Sequence, residues 1–374
     1  MIQKYIEILN SLRSNQIDLR EFLYLEGKDA SGNVCDVNAI RRYRLLVALQ
    51  YSSRLATDEA ILAAFLKSEI RISENAVCGS AGESLHLCSY LLSTYRQPAY
   101  AELFYQAKFA DFDTYCGYDR EFILSAGIKE TYQYMADVKP AFSEKFYEYF
   151  GTVCTTTEEE LEEWKTFKAR YFPDQLEIKD LTDEIQLAIE LSEQEIMIEK
   201  IDQWVASITE WTEQQLNQLD YYKRETGDTA GRIWANERLL HFKKTDWDKT
   251  SVLTDLAKFY IELKDRDNAW AKLQLLPGYL EKIPNWDAVG LGRFAVEAYF
   301  DLILLINNAE DAVVKEAYQW VAAKIWNMKN LGWNLMEKAG KSGELMRDFE
   351  LSKRFYKQLE EAKRKFEDDI KQSK

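Results

Sequence analysis

Glycine and proline, the residues that turns and sheet edges most often demand, make up only 20 of the 374 residues of this chain, about half the share of an average protein. That scarcity argues against sandwiches, barrels and nucleotide-binding sheets, whose many connections use both. The chain is instead rich in Leu, Ala, Glu, Lys and Gln, which lose little conformational freedom in a helix. No segment alternates apolar and polar residues with period two over a useful length, whereas apolar spacing near 3.6 recurs throughout. At 47% hydrophobic and 30% charged residues, the composition fits neither a disordered nor a membrane protein. The most apolar stretch, residues 299–306, contains Asp301 and is too short to span a bilayer. The N-terminal MIQKYIEILNSLRSNQID reads as an amphipathic helix rather than a leader, so a cytoplasmic location is expected.

Periodicity and caps place the helices. A first pair covers roughly residues 1–24, followed by a loop with Gly27 and Gly32. Asn38 opens a helix to about Arg54, and Thr57 caps the next to about Glu69. Residues 72–82 read as a loop, and the helix after them ends near Tyr95. Pro98 suits the first turn of its helix, and Asp119 opens another that ends before Pro140. Thr157 and Glu160 have the spacing of a capping box. Further helices fit 182–216, 229–243, 250–264, 266–276, 286–306 and 310–330. A long amphipathic helix over 343–371 carries Leu345, Phe349, Phe355, Leu359, Ala362, Phe366 and Ile370 along one side. The expected fold is all-α, built of stacked antiparallel helical hairpins as a solenoid or an irregular array.

Charge divides the chain into three blocks. Residues 155–228 hold 20 acidic and 7 basic side chains, whereas 1–154 and 229–374 are nearly neutral. Residues 1–154 and 229–374 are therefore expected to be helical blocks joined by an acidic one, the last ending in the long amphipathic helix. The net charge of −15 disfavours a nucleic-acid binder, and Arg41, Arg42 and Arg44 read as a solvated helix face.

Three helix pairs carry small residues twelve apart across a turn: Ala48 and Ala60, Ser89 and Ala101, Ala257 and Ala269. A large residue precedes each first small one (Val47, Cys88, Leu256) and another follows three later (Tyr51, Leu92, Tyr260). This resembles the core of a tetratricopeptide-type hairpin, most clearly in LTDLAKFYIELKDRDNAWAKLQLL over 253–276. Ile72, Asp113 and Glu281 stand where that family has a proline, and the first two pairs are 41 residues apart. The resemblance implies stacked hairpins that present a surface to a protein or peptide partner.

Signatures of chemistry are sparse. His86 and His241 are the two histidines, which limits imidazole-based catalysis. Glu83 and His86 have E-x-x-H spacing, but a dimetal bundle needs a second such motif, and Glu237 to His241 has spacing four. The five cysteines, at 35, 78, 88, 116 and 154, include no C-x-x-C, which argues against a disulfide framework or a zinc site. Cys116 lies in DFDTYCGYDRE, read as a helical corner in which Gly117 turns the chain and Asp119 caps the next helix. Asp111, Asp113 and Asp119 lack the remaining ligands of a calcium loop, and Gly290-Leu291-Gly292 lacks the third glycine of a phosphate loop. No metal or cofactor is expected.

The aromatics are the remaining excess. Trp204 and Trp211, seven apart in an acidic span, are expected on one helix face. With Glu158, Glu159, Glu160, Glu162 and Glu163 they form the predicted contact surface. The functional expectation is a non-catalytic protein-binding module with a basic protein partner, such as an immunity-type inhibitor of a toxin, binding neither nucleic acid nor membrane. The rival expectation is a metal- or thiol-dependent enzyme using Glu83, His86 and Cys116.

Overall fold

A computed structural model describes residues 1–75 and 82–372. The fold is all-α: nineteen α-helices account for most of the described residues. The chain forms two compact units, Met1–Lys200 and Ile201–Lys374. The acidic block thus contributes helices to both. Among the described residues no helix is long and apolar enough to cross a membrane.

The first unit begins with α1 (Ile2–Arg13) and a short antiparallel hairpin of β1 (Glu26–Lys28) and β2 (Val34–Asp36). Then follow α2 (Ala39–Gln50), α3 (Asp58–Asn75), α4 (Glu83–Ser93), α5 (Ala101–Lys108), α6 (Phe112–Gly117), α7 (Ile128–Asp137) and α8 (Ser143–Phe150). The unit continues with α9 (Glu158–Tyr171), α10 (Leu181–Glu190) and the start of α11 (Gln194–Ser207). The β-hairpin replaces part of the expected Gly27–Gly32 loop. Its turn is local chemistry: Asp29 Oδ1 accepts from the Ser31 and Asn33 amides, and Gly32 adopts a φ of 84°. Three-residue strands are too short to show a period. Residues 19–22 form one 3₁₀ turn, so the second helix expected before residue 24 is absent.

Arg42 is not solvated. It is fully buried, donating to Glu69 at 2.5 Å, to Asp36 at 2.7 Å and to the Phe22 carbonyl at 3.0 Å. These bonds clamp β2 and the preceding loop onto α2 and α3. α2 packs on α1 and α4, and α3 on α4 and α5. Ala48 is therefore buried while Ala60 is exposed, and the first small-residue pair does not mark a close hairpin.

The second unit has a simpler order. Its helices are α12 (Glu213–Glu225), α13 (Thr229–Phe242), α14 (Asp246–Glu262), α15 (Arg266–Leu280), α16 (Gly290–Ile306), α17 (Ala312–Ile325), α18 (Trp333–Leu345) and α19 (Phe349–Gln372). Each successive pair packs as a hairpin, and α14, α16 and α18 pack in series. Ala257 and Ala269 are both fully buried, in α14 and α15, where small side chains allow close helix approach. An Asp accepts an amide at the start of the second helix of every hairpin: Asp228, Asp265, Asp311 and Asp348. They are spaced 37, 46 and 37 residues apart.

In three of these hairpins the residue before the Asp is left-handed: Gly227, Lys264 and Arg347, with φ of 69°, 59° and 58°. The Asp amide then reaches back to the carbonyl of Lys223, Tyr260 or Gly343 at 2.8 Å, closing the helix in a Schellman pattern. This explains how so little glycine suffices. Nine non-glycine residues have positive φ among those described, so helix ends are hidden from a search for glycine. Ser192, at φ 49°, ends α10 in the same way. Together with the Thr212–Gln215 capping box that starts α12, it breaks the single helix expected over 182–216 into three. Arg347 likewise divides the expected 343–371 helix, placing Leu345 on α18 and leaving Phe349 exposed at the start of α19.

Candidate functional site

α9 carries the predicted acidic residues, and its burial pattern decides which way they face. Leu161, Lys168 and the following Phe172 are buried and Trp164 is half-buried. This stripe at spacings of three and four packs against the first unit's core. The opposite face is therefore presented outward, with Glu159, Glu162, Glu163, Thr166, Phe167 and Arg170 lining a shallow open depression.

The five glutamates have different roles. Glu160 and Thr157 form the capping box read from the sequence, with Thr157 N to Glu160 Oε2 at 2.9 Å and Glu160 N to Thr157 Oγ1 at 3.2 Å. Glu158 accepts from the Ile128 and Lys129 amides at 3.1 and 3.2 Å, capping α7. Glu162 pairs with Lys165 at 2.7 Å, and that hydrogen bond holds its carboxyl below the usual range. Glu159 and Glu163 are exposed, and no hydrogen bond or ion pair within the chain engages their side chains among the described residues. Three successive glutamates in the first turn also suit the positive end of the helix dipole.

The aromatics next to these carboxylates are Phe167, 58% exposed, and Tyr171, 53% exposed. They continue the Glu159–Glu163 row at four-residue spacing, and their ring centroids are 6.3 Å apart. The repeat 159–163–167–171 is visible in the sequence, but it stands out only once the buried face of α9 is known.

Trp204 and Trp211 belong to the second unit, whereas α9 belongs to the first. α11 ends at Ser207, so the two are not on one helix face. They nevertheless meet, with centroids 5.8 Å apart. Trp204 is 7% exposed and packs edge-to-face on Tyr222, while Trp211 packs on Trp234. Their arrangement joins the end of α11 to α12 and α13.

Comparison with protein-family models, curated proteins and solved structures finds no match.

His86 lies in α4, its ring 5.6 Å from that of Tyr118. Burial first, and then the Lys168 ammonium, hold its imidazole below the ordinary pKa, and Nδ1 is buried without a partner. Glu83 is exposed at the start of α4, and Cys116 is exposed in α6. Among the described residues no three His, Cys, Asp or Glu side chains are grouped to hold a metal ion. Cys78 lies outside the described residues. Cys35, Cys88, Cys116 and Cys154 are free thiols.

The corner around Cys116 is built differently from its sequence reading. Asp111 starts α6 with a capping box, exchanging bonds with Thr114 at 2.7 and 2.9 Å, and Asp119 precedes the 3₁₀ turn over Arg120–Leu124 without its side chain capping it. Asp119 instead accepts from Lys168 at 2.6 Å and from Trp164 Nε1 at 2.9 Å, both at Oδ2. It is an anchor for α9, a role that depends on residues 45 and 49 positions away in the chain.

Proposed function

We propose that this chain is a non-catalytic cytoplasmic protein-binding module whose α9 face receives a basic segment of a partner protein. The supporting observation is the outward row of Glu159 and Glu163 followed by Phe167 and Tyr171 on one helix. Exposed carboxylates attract a cationic segment and raise its association rate. The adjoining rings supply apolar and cation–π contact to lysine and arginine side chains. The net charge of −15 supports a basic protein, rather than a nucleic acid, as the partner. The resemblance to tetratricopeptide-type hairpins accords with an interaction module. An immunity-type inhibitor that covers the basic active site of a toxin is the most specific form of this reading.

The test is affinity capture from host lysate at low and high salt, using the wild-type chain, a triple charge reversal (Glu159→Lys, Glu162→Lys, Glu163→Lys) and the pair Phe167→Ala, Tyr171→Ala. The wild type should retain a basic protein in stoichiometric amount at low salt and release it at high salt. Both variants should lose it while keeping their helical circular dichroism. Equal capture by all three forms would exclude the α9 face as the binding surface.

A further inference from the structure

One concavity of the first unit runs against the charge of the chain. A cleft of about 210 Å³ lies between the C-terminal part of α4 and the inner edge of α9, with Ser125 also in its lining. Three cations meet there, Arg96, Lys165 and Lys168, beside the rings of Tyr90 and Trp164. In a protein carrying a net charge of −15, such convergence calls for a reason.

Lys168 is buried, and its position is set from behind. Asp119 holds both the Lys168 ammonium and the Trp164 indole on one carboxylate oxygen, fixing two walls of the cleft. Among the described residues Lys165 is answered only by Glu162, whose side chain is 58% exposed. A solvated counterion of this kind is readily displaced. Arg96 makes no side-chain hydrogen bond or ion pair among the described residues. Its backbone sits at a left-handed φ of 51°, closed by a bond from its amide to the Ser93 carbonyl at 3.1 Å. Ser125 is only 4% exposed, yet its hydroxyl makes no hydrogen bond among the described residues.

A guanidinium with no hydrogen bond among the described residues, faced only at a distance by Glu162, two ammonium groups and a hydroxyl at the cleft wall together complement a compact oxyanion with several acceptor lone pairs. The volume also restricts the ligand, since sites for drug-sized molecules run from about 300 Å³ upward. We propose that this cleft binds the phosphate or carboxylate head of a small molecule whose body lies against Tyr90 and Trp164. Arg96 and Lys165 supply the charge-assisted hydrogen bonds, Ser125 donates its hydroxyl, and Lys168 sets the field. The ligand takes over Lys165 from Glu162, so binding frees one carboxylate on the outer face of α9.

Titration calorimetry of the full chain with phenyl phosphate, benzoate and inorganic phosphate, each against sodium chloride of matched ionic strength, tests the proposal. Saturable binding at one site per chain is expected. Phenyl phosphate exceeding benzoate identifies a phosphate head, and the reverse a carboxylate. Either should bind more tightly than inorganic phosphate if the rings hold the body. Arg96→Ala should weaken binding about tenfold or more, Arg96→Lys should recover part of it, and Ser125→Ala should weaken it less than Arg96→Ala. Arg347→Ala, which removes the same charge from the second unit, should leave binding unchanged. No saturable binding by any probe would overturn the assignment, as would equal binding by the wild type and Arg96→Ala.

Discussion

The Arg42 guanidinium, buried to the point of zero exposure, donates from Nε to the Glu69 carboxylate at 2.5 Å. Its other side holds Asp36, whose side chain is also buried. The pair joins α2 to α3, and the third member joins both to the β-hairpin. Removing the cation leaves two buried carboxylates without their partner, so Arg42→Leu should destabilise the first unit by about 3–5 kcal/mol. Glu69→Gln keeps the shape and should lose less, about 1–3 kcal/mol. Urea unfolding followed by far-ultraviolet circular dichroism measures both, and a loss below about 1 kcal/mol for Arg42→Leu would contradict the clamp.

Gly292 in α16 is tolerated because it has no side chain. A Cβ there would lie 2.1 Å from the Trp286 carbonyl oxygen, a backbone atom with little room to yield. Gly292→Ala should therefore destabilise the second unit by about 1–3 kcal/mol. Gly278 in α15 has nothing within 4 Å of the same position, and Gly278→Ala should stabilise by about 0.5–1 kcal/mol. Nine of the ten tryptophans lie in the second unit, so intrinsic fluorescence reports its unfolding directly.

His86 gives the first unit an acid sensitivity above the carboxylate range. Burial, then Lys168, depress its folded pKa below the ordinary 6.5, against an opposing pull from Asp119. Below that value the unfolded chain binds the proton more readily than the folded one. Stability is thus fully present above about pH 6.5 and falls as pH drops through the window below it. His86→Phe retains a ring against Tyr118 and removes the titrating group. Its melting temperature should fall less than that of the wild type between about pH 7.5 and about pH 5.5. Equal falls would show that other groups govern this window.

Trp204 is a packing residue. Truncation to alanine should destabilise the second unit by about 3–5 kcal/mol, as for other large buried aromatics. At temperatures where the variant stays folded, capture of a partner through α9 should match the wild type. Loss of capture without loss of stability would return Trp204 to the contact surface.

Much of the fold is legible locally. The Thr157–Glu160 capping box forms as its spacing dictates, and Pro98 stands at the first position of a 3₁₀ turn leading into α5. Helix existence follows from composition and period. Helix ends are less legible, because Ser192, Lys264 and Arg347 terminate helices in a conformation usually left to glycine. The sign they leave is the acidic residue that follows, Glu193, Asp265 or Asp348, which is unremarkable in a chain this acidic.

The candidate site divides in the same way. That residues 158–163 form an acidic first turn follows from the order of side chains alone. Which glutamates remain open to a partner depends on the buried stripe of Leu161, Lys168 and Phe172, on Ile128 claiming Glu158, and on Lys165 claiming Glu162. The all-α class, the capping box and the acidic block are set within a few residues along the chain, where propensity, capping and charge act. The burial of Arg42, the anchoring of α9 by Asp119 and the packing of Trp204 on Trp211 and Tyr222 are not. They depend on partners brought together only when the helices close on one another, because burial and ion pairing act through space rather than along the sequence.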